Sequence, residues 1–99
     1  MEKKVAHYSL DSIKTLIKDE KYFITKSARM DYIKLGLNDD EVLKIINTLK
    51  NRNLYKSMTS YSNTQIWQDV YHTSYKEIEL YIKLQISEDA IVISFKERT

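Results

Sequence analysis

The chain has 99 residues, with 16 basic and 14 acidic side chains, a formal net charge of +2 and no cysteine. This length predicts one domain, residues 1–99, because two domains would each be too small to bury enough apolar surface. The small net charge does not by itself indicate a nucleic-acid-binding protein, and the lack of thiols excludes disulfides and thiolate metal sites. With no apolar run long enough for a signal peptide or a membrane span, we expect a soluble protein of the reducing cytoplasm.

Three amphipathic helices are predicted in the first half of the chain. Apolar residues recur at helical spacing behind Ser9, a good cap residue, and predict a first helix over residues 10–20. Thr25 can cap a second helix that ends at Leu35, where the only glycine of the chain supplies a left-handed stop. The segment 38–41 forms a variant capping box for a third helix. The apolar stripe of this third helix is Val42, Ile45, Ile46 and Leu49.

Strands are predicted in the second half of the chain, where the apolar period changes from helical to two. Residues 55–58 and 66–71 carry large side chains on both sides, which predicts central positions in a sheet. Residues 78–86 alternate apolar and polar side chains, so one face packs on a core and the other meets water. Residues 91–96 alternate in the same way, and residues 22–24 could form a strand fragment. The order of elements predicts an α+β protein with three N-terminal helices packed on a mainly antiparallel sheet.

The pairing of the last two strands can be predicted from their apolar faces. A slip of one residue would turn every apolar side chain of one strand away from the core. The tightest hairpin that keeps both apolar sets together has Glu88 and Asp89 at its turn, although a longer loop or a two-residue shift remains open because this turn lacks glycine. The opposite pairs are Leu84 with Ile93, Ile82 with Phe95 and, on the exposed face, Tyr81 with Lys96.

Polar side chains on these strands indicate RNA chemistry. Lysine can hold a phosphate, an amide can read a base edge, and an aromatic ring can stack on a base. Metal-free RNA cleavage needs a base for the ribose 2′-hydroxyl proton, charge to stabilise the phosphorane and an acid for the leaving 5′-oxygen. The usual histidine pair is not visible in the strand region. The candidates on the polar face are Lys56, Tyr81 and Lys96, with Gln68 as a hydrogen-bonding partner. We expect the side chains of Lys56 and Tyr81 to face water.

The surroundings must shift the pKa of a lysine or tyrosine before it can act as acid or base near neutral pH. Lysine and tyrosine have ordinary pKa values near 10, and we expect the cluster of cations to lower the pKa of a neighbouring tyrosine or lysine. We interpret Met58, Tyr55 and Lys83 as RNA contacts, although Met58 could simply fill a gap.

Each of these residues also has a structural interpretation. An exposed lysine on a strand is usually a solvated charge, and a tyrosine on a polar face often only covers its neighbours. Trp67 and Tyr71 could stack on RNA bases, but packing in the core or sheet is favoured for Trp67. His7 could serve as acid or base, yet it lies in an unassigned N-terminal stretch. His72, at a predicted strand end, receives no role.

The segment YKSMTSYSNTQIWQDVY, residues 55–71, resembles the MqsR (motility quorum-sensing regulator) toxins, a family of ribosome-independent mRNA endonucleases. The resemblance extends over essentially the whole chain and is also dense in SFKE, residues 94–97. It implies a RelE-like toxin fold, mRNA cleavage at GC-containing sites such as GCU and GCA, growth arrest by the free toxin, and no metal or other cofactor. The active-site residues that it implies are Lys56, Gln68, Tyr81 and Lys96.

The resemblance also implies a cognate, MqsA-like antitoxin with a zinc-binding half and a helix-turn-helix half that binds operator DNA. The toxin would then meet operator DNA only through this partner, and the zinc would belong to the partner. Departures from the family concentrate in the helices and in residues 72–80. The main alternative is a non-catalytic RNA-binding or transcription-regulating protein, and a third possibility is an interaction module that presents a sheet edge.

Overall fold

The computed structural model describes all 99 residues and contains three α-helices, one 3-10 turn and one six-stranded sheet. The helices are α1 (Leu10–Lys18), α2 (Lys26–Lys34) and α3 (Asp39–Thr48), and the 3-10 turn is Asn51–Asn53. The strands are β1 (Glu2–Lys3), β2 (Tyr22–Ile24), β3 (Leu54–Thr59), β4 (Trp67–Tyr75), β5 (Ile78–Ser87) and β6 (Asp89–Glu97). None of the helices combines the length and apolar character needed to cross a membrane.

The predicted helix caps are present at the start of each helix. The side chains of Ser9, Thr25 and Asn38 each accept a hydrogen bond from the backbone N–H three residues further on. Glu41 completes the capping box, because its carboxylate accepts from the backbone N–H of Asn38 at 3.1 Å. The first helix ends two residues before the predicted boundary, since the backbone turns left-handed at Glu20 with φ 60°.

The strands lie in the order β1-β3-β4-β5-β6-β2, and every pair is antiparallel except β2 with β6. The α+β class and the mainly antiparallel sheet are therefore confirmed. Two short strands lie outside the simple order of helices followed by strands: β1 precedes the helices and β2 separates the first two. These short strands form the two edges of the sheet, which leaves β3, β4, β5 and β6 in its interior.

All three helices pack on one face of the sheet. They share a core of 17 buried residues with that face, including Tyr71, Ile82 and Phe95, which are neighbours on three adjacent strands. Val70 is fully buried but lies outside this core, because its side chain points to the opposite face. We call this opposite face the open face. Its side chains include Tyr55, Lys56, Met58, Gln68, Val70, His72, Ser74, Glu79, Tyr81, Lys83, Gln85, Ser94 and Lys96.

A β-bulge interrupts the predicted alternation of the last strand. Tyr81 lies opposite Lys96 as predicted, but the register shifts beyond Lys83, so that Leu84 lies opposite Val92 instead of Ile93. The bulge adds one residue to β6 and turns the residues nearer the hairpin to the other face. The predicted core positions of two isoleucines are consequently wrong. Ala90 and Val92 are buried, whereas Ile91 and Ile93 stay partly exposed.

One buried carboxylate fastens the N-terminal arm, residues 1–9, to the sheet. Asp69 has no exposed surface, and its two oxygens accept hydrogen bonds from the backbone N–H groups of His7 and Tyr8 at 2.9 to 3.0 Å. The hydroxyl of Tyr8 donates to the carbonyl oxygen of Trp67 at 2.8 Å. The ring of His7 stacks on Trp67 at 5.5 Å between centroids. Trp67 therefore packs within the protein, as favoured from the sequence, and His7 lies with it.

We expect Asp69→Ala to lower the free energy of unfolding by about 2 to 3 kcal/mol, because two backbone donors lose a charged acceptor. Urea denaturation would measure this loss, and amide exchange should quicken at residues 2–8. Asp19→Ala is the matched control, since Asp19 is exposed and its side chain makes no hydrogen bond or ion pair. A change for Asp69→Ala no larger than that of the control would contradict the proposed fastening.

Candidate active site

The residues predicted to be catalytic lie on one face of four adjacent strands. Lys56 is on β3, Gln68 on β4, Tyr81 on β5 and Lys96 on β6. Lys56 lies opposite Val70, whose other neighbour is Lys83, and Tyr81 lies opposite Lys96. The four side chains thus share the open face, together with the predicted RNA contacts Met58 and Lys83. Their individual roles stay predictions.

Lys56 is less free than a solvated lysine. Its Nζ donates to Oε2 of Glu2 at 2.7 Å, and its side chain is only 19% exposed. The expectation that it faces open water is wrong, because the short edge strand β1 brings Glu2 over it. This hydrogen bond to the carboxylate of Glu2 raises the pKa of Lys56 above its usual value. Lys56 is therefore a fixed cation at neutral pH, suited to holding a phosphate rather than accepting a proton.

Tyr81 lies beneath two ammonium groups. The Nζ atoms of Lys96 and Lys83 are 5.2 and 5.9 Å from its ring centroid. We expected neighbouring cations to lower the pKa of Tyr81, but burial outweighs the charge of Lys56 and raises that pKa above its usual value. The expected activation of this tyrosine is therefore corrected. Tyr81 keeps its proton near neutral pH, so it can donate a proton but is poorly suited to removing one.

Lys83 has electrostatic surroundings opposite to those of Lys56. It is partly buried, and the ion pairs of the protein involve Lys56, Arg29 and Arg98 but not Lys83. Burial, followed by the positive charges of Lys96 and Lys56, lowers the pKa of Lys83 below its usual value. The lowering of a pKa that we expect from the cation cluster is therefore found at Lys83 and not at Tyr81.

A pair of buried amides orients Gln68. Its Nε2 donates to Oε1 of Gln85 at 3.0 Å, and each residue is only 8% exposed. The bond leaves the carbonyl oxygen of Gln68 available as an acceptor. Gln85 carries no sequence motif of its own, although its place on the polar side of a strictly alternating strand indicates that it belongs to this face. Gln85 is thus a supporting residue for Gln68.

His72 also belongs to the open face, which the sequence did not indicate. Its ring stacks on Tyr55 at 4.2 Å and lies 5.9 Å from the ring of Tyr81. Burial, with a smaller contribution from the charge of Arg98, lowers the pKa of His72, and its Nε2 is buried without a hydrogen-bond partner. Only the pairing of β4 with β5 reveals this position, because it brings His72 opposite Tyr81. His72 therefore packs as a neutral ring between two tyrosines.

Tyr55 completes the aromatic edge of the site. It is 46% exposed, and the Nζ atoms of Lys4 and Lys56 lie 5.1 and 5.4 Å from its ring centroid. An exposed ring flanked by cations can stack on a base while the cations meet the adjoining phosphates. The protein contains no group of three or more His, Cys, Asp or Glu side chains arranged to hold a metal ion.

Comparison with known proteins identifies the family of the chain. Residues 5–97 match a family described as motility quorum-sensing regulator, toxin of MqsA. The chain is also similar to the mRNA interferase toxin MqsR of Escherichia coli (strain K12), with 37% identity over 98 residues that cover 99% of this chain and 100% of that protein. A match of this extent demonstrates membership, and the chain belongs to the MqsR toxin family.

Proposed function

We propose that the protein is an endoribonuclease toxin that cuts mRNA at GC-containing sites, such as GCU and GCA, by attack of the ribose 2′-hydroxyl on the adjoining phosphate. The relative from Escherichia coli is named an mRNA interferase, which supports the reaction class. The observation that supports the site is the convergence of Lys56, Tyr81 and Lys96, from three strands, on the one sheet face without helices. Cleavage of mRNA would stop translation and growth.

The proposed roles follow from the charge state of each group. Lys56 and Lys96 bind and neutralise the scissile phosphate, whose negative charge grows as the phosphorane forms. Tyr81 donates its proton to the leaving 5′-oxygen, since burial favours its protonated form. Gln68, held by its amide partner, orients a phosphate or a base.

The flanking nucleotides would meet the rest of the open face and its aromatic edge. Met58 and Tyr55 provide apolar and aromatic surface for bases, and Lys83 contacts the RNA near the backbone. This arrangement requires no metal ion, because the cations of the sheet neutralise the phosphate. The preference for GC-containing sites rests on the family resemblance.

The family description as the toxin of MqsA supports a cognate antitoxin that neutralises this protein. The proposed partner resembles MqsA, carries zinc in its own N-terminal half and contacts operator DNA through a helix-turn-helix half. The toxin would reach operator DNA only through this partner, and it would act on mRNA in the cytoplasm.

The products of the reaction separate the enzyme from a non-catalytic RNA-binding protein. Purified protein should convert a short RNA with one GCU site into a 5′-hydroxyl fragment and a fragment that ends in a cyclic or 3′-phosphate. Three matched RNAs, each with one 2′-deoxy nucleotide in the site, should include one that resists cleavage. Intact normal RNA, or cleavage of all three deoxy substrates, would contradict the mechanism.

Tyr81→Phe should lower the cleavage rate by about 10²- to 10⁴-fold, because the leaving oxygen loses its acid. The defect should be largely repaired on an RNA whose scissile 5′-oxygen is replaced by sulfur, since a thiolate leaves without a proton. Single-turnover rates on the two substrates measure this effect, and thermal denaturation checks that the variant is folded. An equal defect on both substrates would assign Tyr81 to another role.

Lys96→Met should weaken the binding of an uncleavable 2′-deoxy RNA and reduce the slope of log affinity against log salt by roughly 0.7, the loss of one phosphate contact on a single strand. Lys44→Met is the control, because Lys44 is an exposed lysine on α3, away from the open face. Fluorescence anisotropy at four salt concentrations would measure both slopes. Equal slopes for the two variants would contradict a phosphate contact by Lys96.

A further inference from the structure

The centre of the open face is occupied by a lysine whose charge has no counter-ion. Lys83 lies opposite Val70 on β4 and opposite Ser94 on β6, and its ammonium nitrogen is 5.9 Å from the ring centroid of Tyr81. No acidic side chain of the open face approaches it, and Glu2 is already bound to Lys56. The titratable groups that share this face with Lys83 are Glu2, Tyr55, Lys56, His72, Glu79, Tyr81 and Lys96. The second carboxylate, Glu79, is paired with Arg98.

These surroundings favour the neutral amine of Lys83. Burial and the charges of Lys96 and Lys56 lower its pKa, whereas Glu2 raises the pKa of Lys56. The two lysines on either side of Val70 are therefore shifted in opposite directions. A base must accept a proton in the transition state, and Lys83 is the lysine of this row whose surroundings favour doing so.

The spacing of Lys83 and Tyr81 suits the two ends of one reaction. Residues two apart on a strand lie roughly 6.6 Å apart and point to the same face. In-line transfer puts the attacking 2′-oxygen and the leaving 5′-oxygen on opposite sides of the phosphorus, and each needs a proton carrier within about 2.6 to 3.2 Å. A phosphate seated between Lys83 and Tyr81 can meet both conditions.

We propose that Lys83 is the general base of the cleavage reaction. This inference rests on the proposed function and adds the proton acceptor that it lacks. The neutral amine takes the 2′-hydroxyl proton as the 2′-oxygen forms its bond to phosphorus. The bond from phosphorus to the 5′-oxygen breaks, and that oxygen takes the proton of Tyr81. The products are a 2′,3′-cyclic phosphate and a 5′-hydroxyl, and transfer of the proton from Lys83 to the tyrosinate, directly or through water, restores the enzyme.

The neighbouring basic groups are less suited to this step. Glu2 holds Lys56 in its charged form. The ring of His72 is stacked on Tyr55, and its Nε2 is closed off from solvent. Lys96 is exposed at the outer side of Tyr81, where its charge can meet the phosphate.

The first test replaces the base by a donor that cannot lose its proton. Lys83→Arg should bind uncleavable 2′-deoxy RNA at least as tightly as the parent does, yet cut normal RNA about 10²-fold or more slowly, because arginine does not deprotonate in this pH range. Unlike Tyr81→Phe, it should remain slow on the RNA with a sulfur leaving group. Cleavage by Lys83→Arg at the parent rate, or its repair by the sulfur substrate, would overturn the inference.

The second test uses the absence of cysteine from the chain. Lys83→Cys can be alkylated with 2-bromoethylamine at its single thiol, which produces a lysine analogue with a more acidic ammonium. Alkylation should restore most of the activity and move the rising limb of the pH–rate profile to lower pH, because the base becomes neutral at lower pH. Lys44→Cys, treated in the same way, is the control and should keep the parent profile throughout.

An unmoved rising limb after alkylation would overturn the assignment of Lys83 even if activity returns. These outcomes can be distinguished from failure of the proposed function. If the parent protein leaves every RNA intact, the nuclease assignment itself fails and this inference fails with it. If the parent cuts RNA and Lys83→Arg cuts equally fast, only the assignment of the base fails.

Discussion

The arrangement of the site depends on one constraint: three helices cover one face of the sheet, and nothing but its own side chains covers the other. Val70 illustrates the consequence, because it has no exposed surface although it lies outside the helix-covered core. Long polar and aromatic side chains must lie over such a position, and they lose part of their hydration by doing so. The covering layer is also the candidate active site, so packing and chemistry depend on the same residues.

Partial burial shifts the pKa values of the two proposed proton carriers, Tyr81 and Lys83, in directions that suit their roles. Tyrosine and lysine both have ordinary pKa values near 10, so neither is a natural acid–base partner for the other in water. Desolvation disfavours the charged form of each, which raises the pKa of Tyr81 and lowers that of Lys83. One environment therefore favours a protonated phenol and a neutral amine side by side. A partly dehydrated surface can therefore favour the protonated phenol and the neutral amine without a histidine or a carboxylate.

The N-terminal arm links the packing of the sheet to the arrangement of charges on the open face. Asp69, on the helix side of β4, holds the backbone at His7 and Tyr8, and the start of the arm pairs with β3 as strand β1. Glu2 then lies where it binds the ammonium group of Lys56. The Glu2–Lys56 ion pair alone contributes little to stability, because Glu2 is largely exposed. Its main effect is to set the charge and position of one lysine in the site.

Local signals were sufficient for the helix caps, the main strands and the opposition of Tyr81 and Lys96. Each depends on a capping side chain or on alternation along one strand, which are properties of neighbouring residues. The bulge beyond Lys83, the ion pair of Lys56 with Glu2 and the place of His72 were decided only by tertiary structure. They depend on which strands become neighbours and on how far each side chain is removed from water. The sequence alone determined which chemical groups were available, whereas the fold decided which of them lose their hydration, because desolvation depends on groups distant in the chain.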